Sequence, residues 1–296
     1  MVEDLQWIYA ETQALLDALV TGMAATPLAL LVNYRPEYRH QWGGKSYYTQ
    51  LRLDPLPLDD ADTLLGALVG RDASLRPLVA LLRERTAGNP LFLEESVRAL
   101  VETGALYGTP GAYRLVRPVP AVEVPASVQA VLAARIDRLS PDDKRLLQCG
   151  AVIGYVVPLP LLRGIAGLND TALREALARL QAAELLYETR LYPEVEYTFK
   201  HALTHDVAYG TLLREQRRAL HAVIVATLET HEGDEHAEAL AHHAQLGEDW
   251  ARAARYARLA ADRAAALCAD AEAVALYEQP GGKRPRDGES DRRDMS

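Results

Sequence analysis

An acidic pair stands almost at the start of the chain, in Met1-Val2-Glu3-Asp4-Leu5-Gln6-Trp7. Acids that follow an extended apolar segment can hold a magnesium ion and position the water that attacks a terminal phosphate. Glu3 takes the metal-side position and Asp4 the water-activating one. That makes Asp4 the catalytic candidate and both residues metal-ligand candidates. The plainer alternative is an acidic start to a surface helix. Arg35, in Asn33-Tyr34-Arg35-Pro36-Glu37, follows a second apolar run. A cation at a strand's carboxyl end can reach a ligand there, since open α/β sheets bind ligands at that edge; a solvated loop arginine is the commoner fate. Pro90, in Gly88-Asn89-Pro90, suits the first position of a helix, and in nucleotide switches a proline so placed packs beside the adenine. His201 and His205 are spaced to share one helical face. The glutamate of H-E-x-x-H is missing and no third ligand is evident, which speaks against zinc. A G-x-x-x-x-G-K-[ST] phosphate loop does not occur in the sequence.

The elements that must position these residues follow from periodicity. Leu15, Leu16, Leu19 and Val20 predict an amphipathic helix over 10–20. Leu28 to Val32 and Gln50 to Leu53 read as short strands, the first apolar enough to be covered on both faces. From Asp59 to Leu106 the pattern is helical, broken at Gly88-Asn89-Pro90, with a helix from Leu91 to Thr103 closed by Gly104. Residues 108–125 are rich in Gly, Pro and Val, with a hairpin strand at Tyr113 to Val116. Helices then follow from Val128 to Leu139, from Ser140 to about Ala151, and from Asp170 to Ala183. Two strands, Leu185 to Glu188 and Glu196 to Phe199, join by a turn around Pro193. Three helices and a hairpin in that order describe a winged helix. From Ala202 onward the pattern is all helix, with Ala-rich faces that suggest the start of a tetratricopeptide-like array of period about 34 residues. That array stops near Tyr277, and Pro280 to Ser296 has almost nothing to bury, so disorder is expected.

The bulk composition narrows the function classes. A chain of 296 residues, 49% hydrophobic and 25% charged, can bury a sizeable core. A formal charge of -9 argues against broad nucleic-acid affinity. The candidate recognition helix at Asp170 to Ala183 balances Arg174 and Arg179 against Asp170, Glu175 and Glu184, so no DNA contact is expected through it. Cys149 and Cys268 are isolated thiols that suit a reducing cytosol. Charged residues or prolines interrupt every apolar run, and the first residues are acidic. The expectation is a cytoplasmic protein with no membrane contact.

Taken together, the segments Glu3 to Trp7, Leu31 to Leu53, Gly88 to Glu95, Val124 to Leu132 and Thr198 to Leu203 resemble the signal-transduction ATPases with numerous domains, of the AAA/NB-ARC-like class. They are most similar to the ATPase region that accompanies class III adenylate/guanylate cyclase domains in bacteria. The order and spacing of the segments, from about Glu3 to Gln279, carry the likeness. It implies a mainly α fold with an α/β remnant: the C-terminal part of a P-loop ATPase core at 1–54, a helical lid at 55–107 and a linker at 108–124. A winged helix would follow at 125–212, tetratricopeptide-like helices at 213–278 and a disordered tail at 279–296. It implies Walker B roles for Glu3 and Asp4, a sensor role for Arg35, a lid role for Pro90, and contact of His201 with a bound diphosphate. ATP and Mg2+ would be the cofactors of an intact parent containing an upstream phosphate-loop half and a cyclase domain. This chain, lacking that loop, is expected to hold neither tightly and to be inactive alone. A protein partner or ligand would sit on the helical repeats. The rival readings are the ATPase module of a LuxR-type or similar transcriptional regulator, and a non-catalytic helical interaction scaffold.

Overall fold

The computed structural model describes residues 1–3, 5, 8, 10–116, 118, 124–190, 192, 194–231 and 236–266. Among these the chain is mainly helical, with two small antiparallel sheets. It divides into two compact units, one of Met1–Arg52 with Val225–Ser296 and one of Leu53–Ile224. Asp4, the turn at Pro193 and residues 267–296, including the expected disordered tail, lie outside the described residues.

At the start of the first unit, helix α1 (Ala10–Gly22) covers the predicted amphipathic stretch. Leu16 and Val20 are buried from it, together with Leu5 and Trp42. The expected α/β pattern is reduced to one isolated parallel bridge, Val2 with Val32. Three backbone bonds support it: Val2 N–H to the Leu31 carbonyl at 2.9 Å, Asn33 N–H to Val2 at 3.2 Å, and Leu5 N–H to Asn33 at 3.1 Å. Gln50 to Leu53, expected as a strand, form none, with Leu51 80% and Leu53 96% exposed. An apolar run becomes a strand only where a neighbour takes its N–H and C=O groups.

The second unit begins with α2 (Leu58–Val69), α3 (Arg76–Thr86) and α4 (Pro90–Glu102), which share a core of Leu65, Leu78, Leu82, Leu93, Val97 and Leu100. The expected linker opens as a hairpin, β1 (Leu106–Thr109) with β2 (Ala112–Leu115), whose Gly111 N–H bonds the Leu68 carbonyl at 2.9 Å. After it come α5 (Val128–Asp137), capped by Ser127, and α6 (Pro141–Ile153), capped by Ser140. Two elements that the periodicity does not announce stand next, β3 (Val156–Pro158) and α7 (Leu159–Ala166). Helix α8 (Asp170–Ala182) leads into β4 (Leu186–Arg190) and β5 (Glu196–Phe199). The sheet has three strands in the order β3-β5-β4 rather than two, and four helices precede the hairpin rather than three. Helix α9 (Ala202–Gly210) follows, and α10 (Arg214–His231) runs across the boundary between the units. In the first unit again, α11 (Ala237–Leu246) and α12 (Trp250–Ala266) meet through Ala237, Ala260, Ala261 and Ala264, whose small side chains let backbones come close.

A polar cluster holds the first unit's α1 against the loop beyond Val32. Asp17 accepts the Trp42 indole N–H at 2.6 Å, and Tyr38 donates to Gln13. His40 stacks on Trp42 with ring centroids 4.7 Å apart. Its Nδ1 accepts the Trp42 backbone N–H at 3.2 Å, so its ring proton belongs on Nε2, facing Tyr34 Oη at 2.9 Å and Tyr48 Oη at 3.2 Å. Burial lowers the His40 pKa from 6.5, against the opposing pull of Asp17, and burial with the Tyr34 contact raises Tyr48 to about 12. Because the folded His40 resists a proton that the unfolded chain takes up below about 6.5, its contribution is full above that pH and fades as pH falls through it. His40→Gln should therefore cost stability at pH 7.5, and the gap to the native protein should narrow by pH 5, followed by urea unfolding with tryptophan fluorescence.

Candidate functional site

The parallel bridge orders two of the candidate residues. Glu3 directly follows Val2, and Arg35 follows Val32 by three residues, so both leave the same, carboxyl, end of neighbouring extended segments. Both are exposed. The Arg35 carbonyl accepts the Tyr38 N–H at 3.0 Å, which turns the chain just past the segment. Asp4 lies outside the described residues. Among the described residues no group of three or more His, Cys, Asp and Glu side chains is arranged to hold a metal.

The remaining two candidates, Pro90 and His201, belong to the second unit. Helix α3 ends with Ala87 and Gly88 both left-handed, at φ 47° and 75°. A Cβ on Gly88 would stand 2.3 Å from the Leu56 carbonyl oxygen, and the Gly88 carbonyl accepts the Leu56 N–H at 2.9 Å. Only glycine fits that approach. Asn89 then caps α4 by accepting the Phe92 N–H at 3.0 Å, and Pro90 sits exposed at the first helical position. His201 occupies the cap position of α9, partly buried, and its Nε2 is enclosed without a hydrogen-bond partner. Burial lowers its pKa, as do the charges of Lys200 and Arg98, while Glu95 and Glu94 pull the other way. The ring thus lies within electrostatic reach of Glu94, Glu95 and Arg98 on the helix that Pro90 begins. His205 is engaged elsewhere: its Nδ1 is 3.0 Å from Asp206, and its ring meets Phe199 edge-on.

The polar side of α4 carries charges that the motif reading passed over. Arg135 of α5 and Glu95 are each only 2% exposed and form an ion pair. The same guanidinium bonds Glu102 through Nε at 2.8 Å and Nη2 at 2.6 Å, and donates to the Ala183 carbonyl at 2.9 Å. Burial opposes the Arg135 charge, but Glu102 and Glu95 outweigh it and hold the proton more firmly. One turn along α4, Arg98 pairs with Glu184 at 2.6 Å, and Lys200 pairs with the same carboxylate oxygen. Glu184 is left-handed at φ 54°, an uncommon state for a residue with a Cβ. Arg98 Nη1 is enclosed and unpartnered, like His201 Nε2. A signal for Arg135 existed in the sequence. It lies four residues after Val131 and three after Leu132, on the stripe that α5 buries.

No protein-family model matches the chain. It is 28% identical over 235 residues to an uncharacterized protein of Rhizobium meliloti (strain 1021), over 78% of this chain and 22% of that protein. The chain spans just over a fifth of the length of the curated relative it matches.

The buried node has a measurable weight. Removing one partner of a buried ion pair leaves an uncompensated charge and costs about 3–5 kcal/mol. Arg135→Met should lower unfolding stability by that amount in urea titrations. Adding Glu95→Gln to it should restore part of the loss, because the stranded carboxylate is then gone.

Proposed function

We propose that this chain is a regulatory ATP-binding module of a multidomain signalling ATPase, linked in its intact parent to an adenylate/guanylate cyclase. In this reading residues 1–54 belong to a P-loop ATPase core, 55–107 form its lid, 125–212 form a winged helix, and 213–278 begin a tetratricopeptide-like array. The observation that carries it is that Pro90 begins α4 while Glu94, Glu95 and Arg98 of the same helix lie within electrostatic reach of His201. Two further features support it. Glu3 and Arg35 share the carboxyl end of a parallel pair, and the sheet β3-β5-β4 follows helices in the order a winged helix needs.

The residues fit a nucleotide's phosphates at one point. His201 Nε2 and Arg98 Nη1 are enclosed nitrogens lacking an acceptor, and an anionic oxygen would supply one. In the second unit Pro90 would lie beside the base; in the first, Arg35 would take the sensor role and Glu3 and Asp4 would hold Mg2+. Bound ATP would supply the phosphoanhydride whose hydrolysis resets the switch. The contribution of this chain is to orient that group and report its state through α4. The phosphate-cradling loop would come from sequence outside the chain, and the α10–α12 helices would receive a protein partner or ligand.

Titration calorimetry with ATP and ADP tests the reading, on this chain and on a version extended upstream in its gene. The extended form should bind, with His201→Ala and Arg35→Ala each weakening it about tenfold, equivalent to about 1.4 kcal/mol. The chain alone should bind far more weakly. Absence of binding by both forms would overturn the nucleotide reading.

A further inference from the structure

We infer that the groove between α2 and α3 is a second ligand site, separate from Pro90 and His201, for a small organic oxyanion: a carboxylate or phosphate ester with an apolar body. The groove is open to solvent and has a volume of about 540 Å3, within the range of small-molecule sites. Arg71 and Arg76 line it. Among the described residues neither guanidinium makes a hydrogen bond or an ion pair within the protein. In a chain of formal charge -9, two unpaired guanidinium groups on one groove are not part of a generally basic surface.

The acids beside them are already engaged. Asp72 accepts the Ser74 N–H at 2.8 Å and its hydroxyl at 2.7 Å, bonds that hold its carboxyl below the usual range. Asp62 Oδ2 accepts from Arg83 at 2.8 Å. Asp62 Oδ1 is enclosed with no donor, the one unmet acceptor along this wall. Leu75 and Val79 line the same groove. Two unpaired guanidinium groups beside apolar side chains match a ligand with an oxyanion head and an apolar body. Guanidinium groups engage such heads through paired N–H donors.

The walls are set in advance of any ligand. Gly66 has no side chain where Arg71 lies across α2: a Cβ there would stand 3.7 Å from Arg71 Nε and 3.8 Å from its Cγ. Gly70, at φ 100°, lets the Gly111 carbonyl oxygen come within 2.5 Å of where its Cβ would be, which ties the hairpin to the end of α2. A preformed groove loses less freedom on binding.

The test titrates the full chain with phenyl phosphate and with benzoate, which share a ring and differ in the head. Calorimetry should detect binding of at least one, and the responding head identifies phosphate ester or carboxylate. Arg71→Ala with Arg76→Ala should weaken that binding at least about tenfold while the melting temperature stays near that of the native chain, since both residues are exposed. No heat with either probe, or binding that survives the double substitution, would sink the proposal. So would binding lost in His201→Ala but kept in the double variant, because the anion would then sit at the nucleotide site.

Discussion

A single buried guanidinium decides how the second unit is assembled. Arg135 takes its acceptors from two places at once, Glu95 and Glu102 on α4 and the Ala183 carbonyl where α8 ends. Glu95 and Glu102 are seven residues apart, two turns of helix, and so stand on one face. Arg98 lies between them on that face and reaches Glu184. Apolar packing is non-directional, whereas a cation with acceptors at fixed points allows one rotation of α4 about its axis. The other side of α4 sends Leu93, Val97 and Leu100 into the core shared with α2 and α3. One helix thus belongs to two layers, wholly apolar on the side of α2 and α3, and on the side of α5 combining Phe92 and Ala99, packed with Val131, with the charged pairs.

Backbone crowding sets where that helix begins. The contact of Gly88 with Leu56 pins the turn before Asn89, and Asn89 then caps α4, so Pro90 has little freedom to shift. At the far end, Thr103 returns its hydroxyl to the Ala99 carbonyl at 2.8 Å, and Ala105 N–H bonds the Leu100 carbonyl at 2.9 Å. Position and rotation of α4 are therefore fixed by different forces, main-chain sterics for the first and charge pairing for the second.

Legibility in the sequence followed the same division. Ser127, Ser140, Asn89 and Asn169 each cap the helix their spacing announces, because a cap is a local bond between near neighbours. Helix α7 escaped because eight residues with prolines at 158 and 160 resemble a loop, and β3 because three residues are too few for a period. The strand expected at Gln50 to Leu53 failed for the opposite reason, as strandedness belongs to a pair and this segment joins no sheet. At the candidate site, the common edge of Glu3 and Arg35 could be read from the two apolar segments before them. The Arg135 node could not be read from composition, since charged residues at helical spacing usually face solvent. Its clue was an arginine on a stripe otherwise made of Val131, Leu132 and Ile136.

The charge set beside hydrocarbon at this junction carries a consequence for motion. Two apolar helix faces could slide by a turn and keep most of their burial, but a guanidinium shared by Glu95, Glu102 and Ala183 loses several acceptors on any such step. Partly broken arrangements are costly, because each leaves a charge enclosed. The α4–α5 contact is thus either made or unmade, with little between. Under the proposed function this is the property a relay requires. A displacement at Pro90 cannot dissipate along α4, because Glu95, Arg98 and Glu102 are held to α5, to Glu184 and through it to Lys200, next to His201. Rigidity of that one helix, more than the reach of any side chain, would let the two ends of the site act together.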